Sequence, residues 1–224
     1  MTRSLMAPIA IATTLLFAAQ AHADELKFAG FANGSQSVNV ALSGPNAARD
    51  LTTEAGGFSA SFNTGASFTT YCIDLYQYIS FGPSYGDYSL KDVSTHAFSN
   101  ATAAVDIGKL YGENNLVNSA TTQAAFQIAI WEIAYETSGT YDLGTGSAKF
   151  SGGTADPAAL VLAGNWLAGL SSSSGSAYKV WALDSTTRQD QVFATPVPEP
   201  TTYALMAGGL LCMAFMAKRR SRQG

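Results

Sequence analysis

The chain predicts an α+β domain: a β-sandwich or barrel with a three-helix insertion, preceded by a signal peptide and followed by a C-terminal transmembrane helix. Three observations predict it. Short runs of period-two hydrophobic alternation fill the first half of the domain and return near its end. Between these two β regions, apolar residues recur at helical spacing. Both ends of the 224-residue chain are apolar runs with basic flanks.

At the N-terminus, Arg3 is a positive n-region, Leu5 to Ala19 is apolar, and Ala21-His22-Ala23 has the small-x-small form of a cleavage site. This pattern predicts a secretory signal peptide over 1–23 and a mature chain starting at Asp24. The apolar core is short for a membrane span. The last segment, 195–224, reads Val197-Pro198-Glu199-Pro200-Thr201-Thr202, then an apolar run from Tyr203 to Ala217, then Lys218-Arg219-Arg220. The run is just long enough to cross a bilayer, and the basic cluster would hold its end in the cytoplasm.

The domain between them, 24–194, opens with strands. Leu26 to Phe31, Gln36 to Leu42 and Gly57 to Phe62 alternate between Gly, Asn and Pro punctuation. Asn63-Thr64-Gly65 predicts a hairpin turn into a longer strand, Ser67 to Tyr78. Another strand, Asp87 to Val93, follows the loop Gly82 to Gly86. The period then changes. Val105, Ile107, Leu110 and Tyr111 predict a helix stopped by Gly112. Ser119 caps a second helix running to about Thr137. After a Gly/Ser/Thr loop, Asp156-Pro157 starts a third helix that ends near Leu170, with a hinge at Ser171 to Ser174. Tyr178 to Leu183 and Gln189 to Phe193 return to strand.

Composition excludes some functions. Charged residues are 12% of the chain, about half the usual share. Between Asp24 and Ala194 there are seven basic and fifteen acidic side chains, a net charge of −8. With no basic patch, such a domain would not bind nucleic acid through counterion release, and anionic lipid would repel it. No phosphate-cradling glycine motif is present, Asp142 and Asp156 lack calcium-loop spacing, and no cofactor or metal is expected.

The mature domain keeps one cysteine, Cys72, since Cys212 lies in the apolar tail. A lone thiol in an oxidising compartment has no intrachain disulfide partner. Alternation along the strand Ser67 to Tyr78 would put Tyr71, Ile73 and Leu75 on one face and Cys72, Asp74 and Tyr76 on the other. In the second helix, Gln127 would lie on a buried face with Gln123 one turn before it, while Glu132 and Glu136 would face solvent. A buried carboxamide is costly unless its hydrogen bonds are made.

Two resemblances rest on these residues. The tail, with Pro198, Glu199 and Pro200, a short span and an Arg-rich end, resembles the PEP-CTERM sorting signal of Gram-negative bacteria. That resemblance implies an exosortase as sorting partner, transient anchoring in the inner membrane, and delivery to the cell surface or extracellular space. Tyr71-Cys72 and the run Phe126-Gln127-Ile128-Ala129-Ile130-Trp131 resemble the paired motifs of the thioester-forming domains of Gram-positive surface adhesins. That resemblance implies an internal thioester between Cys72 and Gln127, a reaction with an amine-bearing partner, and a role in surface or biofilm-matrix attachment. Gln123, in Thr122-Gln123-Ala124-Ala125, is the alternative acyl donor, and Asp74 a possible orienting group.

Two other readings compete. A Cys72/His96 dyad would make a cysteine hydrolase, but nothing in the sequence fixes His96 near Cys72. The expectation is therefore a protein that is not an enzyme. Alternatively, Tyr76, Tyr78, Tyr85 and Tyr88 would form a sugar-binding platform on a non-covalent matrix module.

Overall fold

The computed structural model describes residues 25–44, 47–112, 117–153, 157–173, 178–197 and 205–213. The signal peptide and the Pro198, Glu199 and Pro200 motif lie outside the described residues.

Among the described residues, ten strands form two antiparallel sheets. The larger contains β1 (Leu26–Phe31), β4 (Phe58–Phe62), β5 (Phe68–Cys72), β6 (Ser84–Tyr85), β7 (Ser89–Asp92), β9 (Tyr178–Asp184) and β10 (Gln191–Pro196). Its order is β6-β1-β4-β5-β10-β9-β7. The two edge strands, β6 and β7, are joined by residues 86–88 alone, a reach of roughly 14 Å from strand to strand. The sheet therefore curls until its edges nearly meet, giving a barrel-like wall. Phe28, Tyr85 and Tyr88 pack pairwise on the β6 side, with ring centroids 6.0–6.3 Å apart.

Sequence detail supports the wall. In β1 the buried Leu26 and Phe28 alternate with exposed residues until the pairing with β4 shifts between Phe28 and Gly30. Gly30 has φ +147°, open to glycine and strained for other residues, so the irregularity sits where the chain tolerates it. Asn63 adopts φ 49° in the turn after β4, as its residue type favours.

The smaller sheet has the order β3-β2-β8, from β2 (Gln36–Leu42), β3 (Arg49–Ala55) and β8 (Ala148–Gly152). Between the sheets lies α2 (Ala120–Tyr135), in which every residue from Gln123 to Tyr135 is buried. It packs on β5, on all three strands of the small sheet, and on α1 (Ala103–Leu110) and α3 (Pro157–Gly169). A capping box starts it: Thr122 N–H donates to Ser119 Oγ at 3.3 Å, and Ser119 N–H donates to Thr122 Oγ1 at 2.9 Å. At the other end, Asn100 Nδ2 donates to the carbonyls of Ile133 and Glu136 at 3.1 and 2.8 Å. These bonds satisfy groups that a helix leaves open.

The mixed α and β character and the curled sheet agree with the sequence reading, and four expectations need correction. The helical insertion is interrupted by β8, which returns to pair with β2. β3 had no counterpart in the reading. The strand expected over Ser67 to Tyr78 stops at Cys72, because Asp74 Oδ1 accepts the Tyr76 N–H at 2.7 Å and turns the chain. The solvent face expected for Glu132 and Glu136 is buried under the segment 137–147. In the tail, residues 205–213 are helical; among the described residues no helix is long and apolar enough to cross a membrane.

Candidate functional site

Cys72 is the last residue of β5. It lies opposite Gln191 of β10, and the next residue, Ile73, donates its N–H to Asp190 O at 2.9 Å. That bond makes Ile73 the paired position on the β10 side, so the N–H and C=O of Cys72 point the other way, toward β4. The β4–β5 ladder ends at Phe58–Thr70, short of Cys72. The Gln127 carboxamide fills the gap. Its Oε1 accepts the Cys72 N–H at 2.9 Å and its Nε2 donates to the Cys72 carbonyl at 2.8 Å. A side-chain amide thus completes the sheet where the backbone of β4 has left, and the cost of burying it is offset.

Gln123 is also buried but is held elsewhere. Its Oε1 accepts the Gly57 N–H at 3.0 Å and the Tyr71 O–H at 2.9 Å. The stripe continues at four-residue spacing, with Trp131 and then Tyr135, whose hydroxyl accepts the Leu75 N–H at 2.6 Å. Four residues of α2, each one turn apart, therefore line up along the end of β5 and the turn after it. The two glutamines were legible as one face, with Trp131 flanking Gln127; Tyr135 was not assigned to it, although the same spacing includes it.

The Cys72 thiol is 1% exposed and donates to the carbonyl of Asp74 at 2.9 Å. Burial pushes its pKa far above the usual thiol range; the Trp131 indole N–H nearby offsets part of the rise, and the Asp74 charge adds to it. The thiol is therefore protonated at neutral pH. The indole N–H itself is buried and has no acceptor within hydrogen-bonding geometry among the described residues. Asp74 does not share a strand face with Cys72. It offers the sulfur its main-chain oxygen, while its carboxylate serves the turn, and burial raises that carboxyl above its ordinary value.

A cleft of about 390 Å³ reaches this pair, with Cys72 and Trp131 in its lining, Phe31, Phe58 and Phe81 as apolar wall, and Glu54 among its polar groups. His96 belongs elsewhere. Its Nδ1 lies 2.8 Å from Asp184 Oδ1 in a second cavity, lined by Asp74 and Tyr135 but not by Cys72. Asp184 thus orients His96, a feature the sequence did not indicate, yet His96 and Cys72 line different cavities. The tyrosine platform also dissolves: Tyr85 is 6% exposed with its hydroxyl bonded to Ser80, and of the four only Tyr78 is open to solvent.

On the far side of α2, Glu132 Oε1 accepts the Asp142 N–H at 2.7 Å, and Glu136 carboxylate oxygens accept from Thr137 and Ser147 N–H at 2.8 and 3.0 Å. Glu132 Oε2 is buried without a partner among the described residues. Burial raises the Glu132 carboxyl to about 7; the Asp142 N–H opposes the rise, and Glu136 and Asp142 as like charges add to it.

Comparison with known proteins speaks to the tail. Residues 196–220 match the PEP-CTERM protein-sorting motif. No curated protein and no solved structure matches the chain. The motif marks an exported protein sorted to the cell surface, with an exosortase as its sorting partner.

Proposed function

We propose that the exported domain stores an internal thioester between Cys72 and Gln127 and spends it once, on an amine-bearing component of a cell surface or extracellular matrix. The observation that carries this reading is the two-point clasp of the Gln127 carboxamide on the Cys72 main chain. It fixes the electrophile against the residue that bears the nucleophile, and such fixation is a large contribution of a fold to a bond-forming step. The Cys72 N–H on Oε1 stands where negative charge develops as the carbonyl carbon is attacked.

In formation, Cys72 Sγ bonds to the Gln127 carboxamide carbon, the C–N bond breaks, and the thiol proton leaves on the nitrogen as ammonia. No separate base is needed for the balance, which suits a thiol that burial keeps protonated. In capture, a primary amine attacks the same carbon, the C–S bond breaks, and the surplus amine proton returns to the sulfur. The Trp131 indole N–H stands near the departing thiolate. The cleft reaches Cys72 and Trp131 past aromatic walls, and Glu54 in its lining would favour an ammonium group. The chain would act stoichiometrically, not as an enzyme, in adhesion or biofilm-matrix attachment. Before exosortase processing, the apolar tail would anchor it in the inner membrane.

Incubation with methylamine tests this. The wild-type protein is expected to gain one methylamine on the peptide containing Gln127 and to expose one new thiol. A protein that takes no label, and whose Cys72 is alkylated at once on unfolding without prior amine, would contradict the reading and leave Gln127 as a structural clasp.

A further inference from the structure

The cavity that holds His96 is separate from the thiol cleft and has about 560 Å³ of space. Four aspartates, Asp74, Asp87, Asp184 and Asp190, are among its lining residues, against one lysine, Lys91. Three donors converge there: a nitrogen of His96 and one oxygen each from Asp184 and Asp190 lie within 4.8 Å of one another, and all three residues are half-buried. We propose that His96, Asp184 and Asp190 bind one divalent transition-metal ion, with Zn²⁺ as the natural probe.

The donor set and its support both favour an ion. One imidazole nitrogen with two carboxylate oxygens suits zinc and its neighbours better than calcium, which takes six to eight oxygens. Donors around a tetrahedral zinc are about 3.3 Å apart, so the group needs only a small side-chain adjustment to close on an ion. Each donor is already aimed. Lys91 Nζ holds Asp184 Oδ2 at 2.9 Å, leaving Oδ1 toward His96. The Ser185 N–H holds Asp190 Oδ1 at 2.6 Å. The His96 ring rests edge-on against Phe98 at 4.6 Å. Such outer contacts are what keep metal ligands in place.

Gln77 is among the residues around the same cavity, and its Oε1 is buried without a hydrogen-bond partner among the described residues. When the ion enters, the proton shared between His96 Nδ1 and Asp184 Oδ1 leaves to solvent, and that hydrogen bond gives way to two metal bonds. No sequence spacing announces this set. His96 follows β7, Asp184 ends β9 and Asp190 precedes β10, so the pairing of β9 with both β7 and β10 assembles them.

Calorimetric titration of the chelator-treated full chain with Zn²⁺ tests the site. One saturable equivalent is expected, weakened at least tenfold in His96→Gln and in Asp190→Asn. No saturable binding, or wild-type affinity in both variants, would overturn the proposal. If either variant fails to fold, imidazole nitrogen NMR decides in a His22→Gln background, where His96 is the sole histidine of the chain. Its ring resonances should move with one equivalent of Zn²⁺; resonances that stay in place would equally overturn it.

Discussion

Helix α2 presents two polar stripes that solve opposite problems with the same device. Gln123 and Gln127 face β5, and Glu132 and Glu136 face the segment 137–147. Both stripes are buried, and both accept main-chain N–H groups that no strand or helix partner satisfies. The glutamine side is neutral, and Gln127 returns a donor to Cys72, so every polar atom of that clasp is matched. The glutamate side carries ionisable groups and leaves Glu132 Oε2 orphaned. A buried helix is thus clamped on both flanks, rigidly where chemistry is proposed and with a pH-sensitive remainder where it is not.

Removing the clasp should have the largest effect. Gln127→Ala takes away the Oε1 acceptor of the Cys72 N–H together with the Cys72–Gln127 link and opens a cavity, a loss of about 4 kcal/mol. Thermal unfolding would check it; a loss under 1 kcal/mol would mean that water or a shifted strand replaces the carboxamide. Gln123→Ala strands the Gly57 N–H and the Tyr71 hydroxyl, a loss of about 2–3 kcal/mol by denaturant titration. It should leave methylamine labelling of Gln127 intact. Labelling lost in Gln123→Ala but kept in Gln127→Ala would reverse the assignment of the two glutamines.

The glutamate stripe gives the smallest effect, with a defined sign. Burial lifts the Glu132 carboxyl to about 7 in the folded state, from an ordinary value of 4.5. Between those values the folded state holds a proton that the unfolded state has lost, so stability should fall as pH rises from 4.5 to 7. Glu132→Gln keeps an acceptor for the Asp142 N–H and removes that slope. At pH 8 its melting temperature should exceed the wild type by a few °C, roughly what 1–2 kcal/mol gives in a domain of this size. Parallel melting curves for the two proteins across this range would contradict the burial of an ionisable Glu132.

The same contrast explains what could be read from the residues alone. β1 and β2 alternate cleanly, and their bounds match the expectation. The glutamine face was legible because neutral side chains on a helix rich in Ile, Ala and Phe have nowhere else to go. The glutamate face was misread, since charge ordinarily means solvent, and only the fold of 137–147 over α2 supplies the N–H groups that make burial tolerable. β3 was missed because Arg49, Asp50, Thr52 and Glu54 mask the inward alternation of Leu51, Thr53 and Ala55. β8 was missed because Ala148–Gly152 sits among Gly and Ser, and only its pairing with β2 makes it a strand. The overlong strand through Tyr78 kept its alternation in Ile73 and Leu75, but the Asp74 side chain bends the chain locally. Sequence periodicity records which residues are apolar; it does not record where a distant segment lends its donors.

The most direct measurement is the intact mass of freshly purified, never-denatured protein, beside Cys72→Ala and Gln127→Ala. The account predicts that the wild type alone is lighter than its sequence mass by one ammonia, with both variants at full mass. A wild type at full sequence mass with a free Cys72 thiol would contradict it.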